Sequence, residues 1–309
     1  WDQSRYEMIR IVQLAEDSQH AQIELHFDKV LSTEVAVKRF SRQRLCSSPE
    51  EFRARWGAED LEDPWQEIYV ASYLGQVGPS RVPGVLPCYG AFCDRDPGGN
   101  GDALLVSEWI ASGDLFTFAS DLGPPGPARE AKAIEVLLSL LKAVRGLHGL
   151  GVAHGDVSCE NAMIRHEGDS WEVVLLDFAM AVVGGNLGAA SGQRSKRIYQ
   201  APDTVEPGAV YDARAADLFA CGVVGYALAI GSYPWQSTTP GACKAFKYAH
   251  NHGALAFFHK RYVIQDHTQD TPKVSVAEIL SPGYQQILAV LLDMDPAQRC
   301  DVWEMVGLD

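Results

Sequence analysis

An aspartate and an asparagine five residues apart, Asp156 and Asn161, occupy the polar middle of the stretch VAHGDVSCENAMI at 152–164. A surface turn uses Asp and Asn equally well, to cap or bend the backbone. A third group, Asp177, follows the apolar run VVLL 21 residues after Asp156, with the turn-capable RHEGDS between them. Phosphoryl transfer needs one carboxylate to accept the attacking hydroxyl's proton, and a second carboxylate with an amide oxygen to hold Mg²⁺ against the phosphates. Asp156 suits the first role, and Asn161 with Asp177 the second. Upstream, VAVK ends in Lys38, where an ammonium can neutralise phosphate charge, and Glu67 can pair with it from the next helix. A lone lysine on a strand is ordinarily a solvated edge residue, so it is the joint pattern that points to chemistry.

The elements that must position these groups divide the chain in two. Residues 6–40 alternate and are rich in Ile and Val (YEMIRIV, AQIELHF, TEVAVKRF), which predicts three consecutive antiparallel strands. PWQEIYVASYLGQV at 64–77 predicts a helix, opened by Pro64 and apolar at Ile68, Ala71 and Leu74. GVLPCYGAFC at 84–93 and ALLVSEWI at 103–110 predict two more strands, separated by the turn-rich DRDPGGNGD. Beyond SDLGPPGPARE the character changes: AKAIEVLLSLLKAVRGLHGLG is an amphipathic helix pattern, and most later segments read helical. The expectation is an α+β chain, with a β-rich part over 1–110 and an α-rich part over 111–309.

Composition bounds the function. With 309 residues, 47% of them hydrophobic, the chain is long enough for sizeable cores. A net charge of −14 argues against nucleic acid or anionic lipid as partners, and disfavours a polyanion such as ATP unless local cations compensate. Seven scattered cysteines without a C-x-x-C pair suggest no zinc site, and fit either a reducing or a secretory compartment. The chain begins at Trp1 without a signal-peptide pattern, which reads as processed or trimmed. LFACGVVGYALAIG at 218–231 is too short and glycine-broken for a membrane span, so it is expected as a buried helix. His148 and His154 read as packing residues, Cys159 as a small apolar filler, and the three histidines of YAHNHGALAFFHK as surface residues.

Taken in order, VAVK, EIYVASYL, HGDVSCEN, LDFA, YQAPD, DLFACGVVGYALAIGSYPW and LLDMDPAQR resemble the protein kinase fold from end to end. The resemblance implies a bilobal architecture, a five-stranded antiparallel sheet with one helix in the first lobe and a mainly helical second lobe. It implies Mg-ATP as cofactor and a protein as substrate or partner. Lys38 matches the lysine of V-A-I-K, Glu67 its helix partner, Asp156 the catalytic aspartate, and Asn161 with Asp177 the metal ligands. Ser107 looks like the gatekeeper. Glu108 and Ile110 fall where backbone groups would meet an adenine ring. Asp203 matches the acid of A-P-E and is expected to pair with Arg299, while Asp217 matches the buried aspartate of the long central helix.

The departures from that pattern are specific. The glycine-rich loop should occupy 16–21, where the sequence is EDSQHA, so Glu16, Ser18 and Ala21 remove close backbone approach and Glu16 and Asp17 add like charge. Gly155 stands for the family's arginine, Ser158 for its catalytic-loop lysine, Ala179 for the last glycine of D-F-G, and Lys196 for a threonine. This combination resembles the secreted With-No-Gly-loop kinases of apicomplexan parasites, relatives of the rhoptry kinases. That likeness implies a dense-granule or rhoptry route to the parasitophorous vacuole, with a cytoplasmic site left open, and allows bridged cysteines. Two functions fit: a divergent serine/threonine kinase, and a pseudokinase that serves as a binding or scaffold module with weak or no nucleotide binding.

Overall fold

The computed structural model describes residues 1–14, 21–57, 62–94, 101–168, 170–185, 187–192, 194–265 and 272–308. They group into two compact units, Trp1–Ala111 with Asp177–Ala181, and Ser112–Leu176 with Val182–Asp309.

The first unit is built on β1 (Tyr6–Gln13), β2 (Gln22–Asp28), β3 (Thr33–Phe40), β4 (Cys88–Cys93) and β5 (Ala103–Glu108), all antiparallel, in the order β1-β2-β3-β5-β4. β4 starts later than the apolar pattern suggests, because Pro87 has no N–H to give a ladder. Alternation along β3 sends Val35 and Val37 to one face, where Tyr6, Leu104 and Val106 join them under Trp1 and Phe92. Trp1 stacks on Tyr6 with ring centroids 4.4 Å apart. The opposite face carries Lys38, paired in register with Ile23 and Leu105.

Between β3 and β4 lie α1 (Arg42–Leu45), α2 (Pro49–Trp56) and α3 (Pro64–Val77). Only α3 was expected. The signal for α2 was present in SSPEE: the Ser48 hydroxyl accepts the Glu51 amide (3.2 Å), and the Glu51 carboxylate accepts the Ser47 amide (2.8 Å). α3 is capped by Asp63, which accepts the amides of Trp65 (2.9 Å) and Gln66 (3.2 Å), and opens on Pro64. Its buried positions, Glu67, Val70, Ala71 and Leu74, follow the 3–4 spacing of one face, so Glu67 points inward with the apolar stripe.

In the second unit, α4 (Leu115–Asp121) and α5 (Pro127–Gly149) precede β6 (Val152–Ala153), the hairpin β7 (Ala162–Glu167) and β8 (Ser170–Leu175), and β9 (Val182–Val183), which pairs with β6. The segment 154–161 therefore runs between two strands. α6 (Ala213–Ile230) is long and apolar enough to cross a membrane by composition, yet its residues are 89% buried as the core helix of this unit. α7 (Lys244–His252), α8 (Ala254–Lys260), α9 (Val276–Ile279) and α10 (Pro282–Leu291) complete the surroundings of the core. Gly222 and Gly225 let α6 approach its neighbours closely: a Cβ at Gly222 would lie 2.8 Å from Leu291 Cβ, and one at Gly225 2.9 Å from Leu137 and Leu288. This architecture is the expected α+β class.

Candidate active site

In the first unit, Lys38, Glu67 and Asp177 are brought together. Strand alternation turns Lys38 toward the face that α3 covers, and the inward stripe of α3 presents Glu67. The Lys38 ammonium donates to Glu67 Oε1 at 2.5 Å and to Asp177 Oδ2 at 3.1 Å. Asp177 is anchored locally: its Oδ1 accepts the Ala179 amide (3.3 Å), and the Asp63 amide donates to the Ala179 carbonyl (3.0 Å). Asp177 holds φ at 67°, a left-handed conformation unusual for a residue with a Cβ, so local strain is built in at a chemically loaded position.

Two carboxylates share one ammonium here, and the electrostatics follow. Burial works against the Lys38 charge, but Asp177 and Glu67 outweigh it and hold the ammonium protonated well above its ordinary range. Burial, reinforced by Asp177, pushes Glu67 up to about 7 even though Lys38 pulls it down. Ser107, Glu108 and Ile110 stand at and just beyond the end of β5. Ser107 and Ile110 are buried, and the Glu108 amide is taken by the Pro87 carbonyl at 3.0 Å. The expected glycine-loop positions 16–20 lie outside the described residues, while Ala21 is buried with Phe40, Leu45, Ala71 and Leu105.

In the second unit, Asp156 and Asn161 are joined directly. Asn161 Nδ2 donates to Asp156 Oδ2 (2.6 Å) and to the Asp156 carbonyl (3.1 Å), which leaves the amide oxygen as the group able to meet a cation. The other carboxylate oxygen, Oδ1, accepts the Lys196 amide at 3.3 Å. Asp217, from the first turns of α6, holds the start of this segment by accepting the amides of His154 (2.8 Å) and Gly155 (2.9 Å) and a proton of His148 Nε2 (2.9 Å). The Asp156 amide donates to His154 Nδ1 (3.2 Å), so that ring carries its proton on Nε2, which donates to the Leu176 carbonyl (3.1 Å). His154 is thus a structural part of the segment, and His148, on α5, supports it through Asp217. Among the described residues, no group of three His, Cys, Asp or Glu side chains is arranged to hold a metal ion. Cys159 is buried and its thiol is pushed up to about 12 by that burial, which makes it an inert filler.

Arg299 and Asp203 form the expected pair at 2.6 Å. What sequence reasoning missed is the company of Lys196, whose ammonium reaches Ser158 and Glu160. The only hint was a lysine and a serine at two positions where other residue types were expected. All seven cysteines are free.

Comparison with known proteins places this geometry. The family model for the protein kinase domain matches residues 26–307. The chain is 30% identical to testis-specific serine/threonine-protein kinase 3 of Homo sapiens over 141 residues, 45% of this chain and 50% of that protein. It is 32% identical to serine/threonine-protein kinase GIN4 of Saccharomyces cerevisiae over 140 residues, 44% of this chain and 11% of that protein. It is 27% identical to CBL-interacting protein kinase 16 of Oryza sativa subsp. japonica over 206 residues, 66% and 39% respectively. The matches span half or less of the length of these relatives. An ammonium clasped by two acids, an aspartate locked to an asparagine, and a family match that takes in both sets have one common reading: the chain belongs to the protein kinase domain family.

Proposed function

We propose that this chain is an active serine/threonine protein kinase that works without a glycine-rich loop, transferring the γ-phosphate of Mg-ATP to a protein hydroxyl. The observation that carries the reading is the engagement of Lys38 by both Glu67 and Asp177. Three charges in one partly buried cluster, with one acid displaced to about 7, are a poor way to stabilise a fold. Apolar residues of similar volume usually do as well or better. Nucleotide handling gives the cluster a purpose.

In this reading, the Lys38 ammonium binds phosphate oxygens and Glu67 keeps it in place. Asp177 and Asn161 each offer a hard oxygen to Mg²⁺, an ion that keeps several waters and takes few protein ligands, so the donor types fit. When bound, the ion would supply positive charge beside the phosphates. Asp156, fixed by Asn161 and the Lys196 amide, orients the acceptor hydroxyl and receives its proton. The test is Asp156→Asn beside Asp177→Asn. The first should abolish transfer with Mg-ATP affinity within a few-fold of wild type, and the second should weaken metal-dependent binding. Wild-type protein that transfers no more phosphate than Asp156→Asn sinks the reading.

A pseudokinase reading draws on the sequence EDSQHA, in which Glu16, Ser18 and Ala21 stand where glycines would cradle phosphate and Glu16 and Asp17 add like charge. It requires Mg-ATP binding that is weak or absent, read by calorimetric titration, together with wild-type phosphate transfer no greater than that of Asp156→Asn. The likeness to the With-No-Gly-loop kinases, and the secretory destination it carries, form part of this proposal.

A further inference from the structure

Lys196 meets the segment 154–161 twice. Its backbone amide donates to Asp156 Oδ1 (3.3 Å), and its ammonium donates to Ser158 Oγ (3.2 Å) and Glu160 Oε2 (3.1 Å). Each contact rests on something fixed. Ser158 is fully buried, and its hydroxyl also accepts the Asn161 amide at 3.2 Å. Glu160 lies 3.4 Å from each of the Tyr199 and Tyr233 hydroxyls, which bond one another at 2.8 Å, so one of the two donates to the other and the second donates to Glu160. An otherwise flexible four-carbon side chain is therefore held with its charge two residues from Asp156. Its side chain is still 45% exposed, and two of its three N–H donors are used in these bonds.

Phosphoryl transfer makes that placement consequential. Charge spreads over the oxygens of the migrating group, and positive groups fixed beforehand stabilise it more than groups that must be gathered. Asp156 and Glu160 bring negative charge to this segment, in a chain whose net charge is −14. A cation is needed beside them if a triphosphate is to be approached. The ammonium that meets this segment comes from Lys196, 35 residues beyond Asn161.

We propose that Lys196 is a catalytic residue, its ammonium contacting the transferring γ-phosphoryl oxygens and supplying the positive charge that Ser158 does not. The proposal rests on the kinase reading given above. In the step, the bond from the γ-phosphorus to the oxygen bridging it to ADP breaks, and that oxygen keeps the electron pair. The acceptor hydroxyl oxygen forms the new bond to phosphorus, and its proton passes to the Asp156 carboxylate and on to water. Lys196 stays protonated throughout and makes no covalent bond. Glu160 acts as a positioning residue.

The experiment compares steady-state transfer from Mg-ATP to a generic protein acceptor, with melting temperatures as the fold control. Lys196→Met should lower kcat about 100-fold, the order found when one preorganised donor is removed, with the KM for Mg-ATP within about threefold. The swap Ser158→Lys with Lys196→Thr returns an ammonium from the other side of the same contact, and should recover kcat to within about tenfold of wild type. Glu160→Gln breaks the ion pair while keeping the ammonium, and should cost about fivefold or less. A Lys196→Met enzyme with wild-type kcat overturns the proposal, as does a Glu160→Gln loss equal to that of Lys196→Met. A swap variant that folds but stays as slow as Lys196→Met also overturns it. Wild-type protein with no transfer above Asp156→Asn removes the kinase reading, and this proposal with it; a transferring wild type indifferent to Lys196→Met removes this proposal alone.

Discussion

Arg299 reaches Asp203 across 96 residues of sequence, its Nη2 donating to Oδ1 at 2.6 Å. The guanidinium is fully buried, and every face of it is engaged. Nε donates to the Asp293 carbonyl (2.8 Å), Nη1 to the Ala215 carbonyl (3.1 Å), and the Phe219 ring lies 5.0 Å from its centre. Arg299→Ala should therefore cost about 3–5 kcal/mol, because a carboxylate and two carbonyls lose a donor in one place. Arg299→Lys should recover little, since an ammonium lacks the planar fork that serves three acceptors. An unchanged denaturant midpoint for Arg299→Ala would rule this out.

A second prediction concerns acid. Glu24 is buried on β2, and burial alone would raise its pKa. Hydrogen bonds from His26 (2.7 Å), Arg39 (2.8 Å) and Gln22 (2.8 Å) outweigh burial and hold it down to about 2. A carboxyl depressed from 4.5 contributes stability that is complete above its unfolded value and is lost as pH falls toward its folded one. At 1.36 kcal/mol per unit the contribution is about 3 kcal/mol at neutral pH. The stability gap between wild type and Glu24→Gln should be near that figure at pH 7 and narrow steadily below pH 4.5. A gap that does not change with pH contradicts the assignment.

Close packing of α6 makes a third. Alanine is the better helix former by about 1 kcal/mol, which favours replacing both glycines. At Gly222 the new Cβ would meet Leu291 Cβ at 2.8 Å, an atom fixed to its backbone, so overpacking of about 1–3 kcal/mol should win and lower the melting temperature. At Gly225 the nearest atoms are the tips of Leu137 and Leu288, which can rotate, so the loss should be smaller. Equal melting temperatures for the two variants would show that side-chain flexibility does not decide the outcome.

What the sequence made legible follows from locality. Alternation in TEVAVKRF put Lys38 and Val37 on opposite faces, and the spacing of Ile68, Ala71 and Leu74 located α3, although the stripe that is buried runs through Glu67, Val70, Ala71 and Leu74 and leaves Ile68 only partly covered. Those patterns are short-range and gave the two elements, while the Lys38–Glu67 pairing was expected from their complementary charge and from the resemblance to the kinase fold. The meeting of Lys196 with Ser158 could not be anticipated, because the two are 38 residues apart, with the β7–β8 hairpin and β9 between them, and no local pattern reports how the chain returns. The early start expected for β4 failed for a different reason. Hydrophobic pattern reports side-chain burial, whereas the ladder needs the N–H that Pro87 lacks. Trp1 stacking on Tyr6 was equally invisible, since no periodicity extends to a single terminal ring.

The last prediction tests the shared ammonium itself. Glu67 stands at about 7 because burial first, and the Asp177 carboxylate second, disfavour its charge, while Lys38 favours it. Asp177→Asn removes a like charge and should lower the Glu67 pKa below 7. Lys38→Met removes the opposite charge and should raise it. The two variants must move the same titration in opposite directions, a pattern that a general loosening of the fold does not produce. The stability consequence has a definite sign. Between 4.5 and about 7 the folded state binds more protons at Glu67 than the unfolded chain does, so this group makes the fold lose stability as pH rises through that window. Asp177→Asn should flatten that decline and Lys38→Met should steepen and extend it. Carboxyl carbon NMR of Glu67, followed from pH 4 to 9, reads the pKa directly; a Glu67 resonance that titrates at the same pH in both variants would mean that Lys38 does not divide its charge between the two acids.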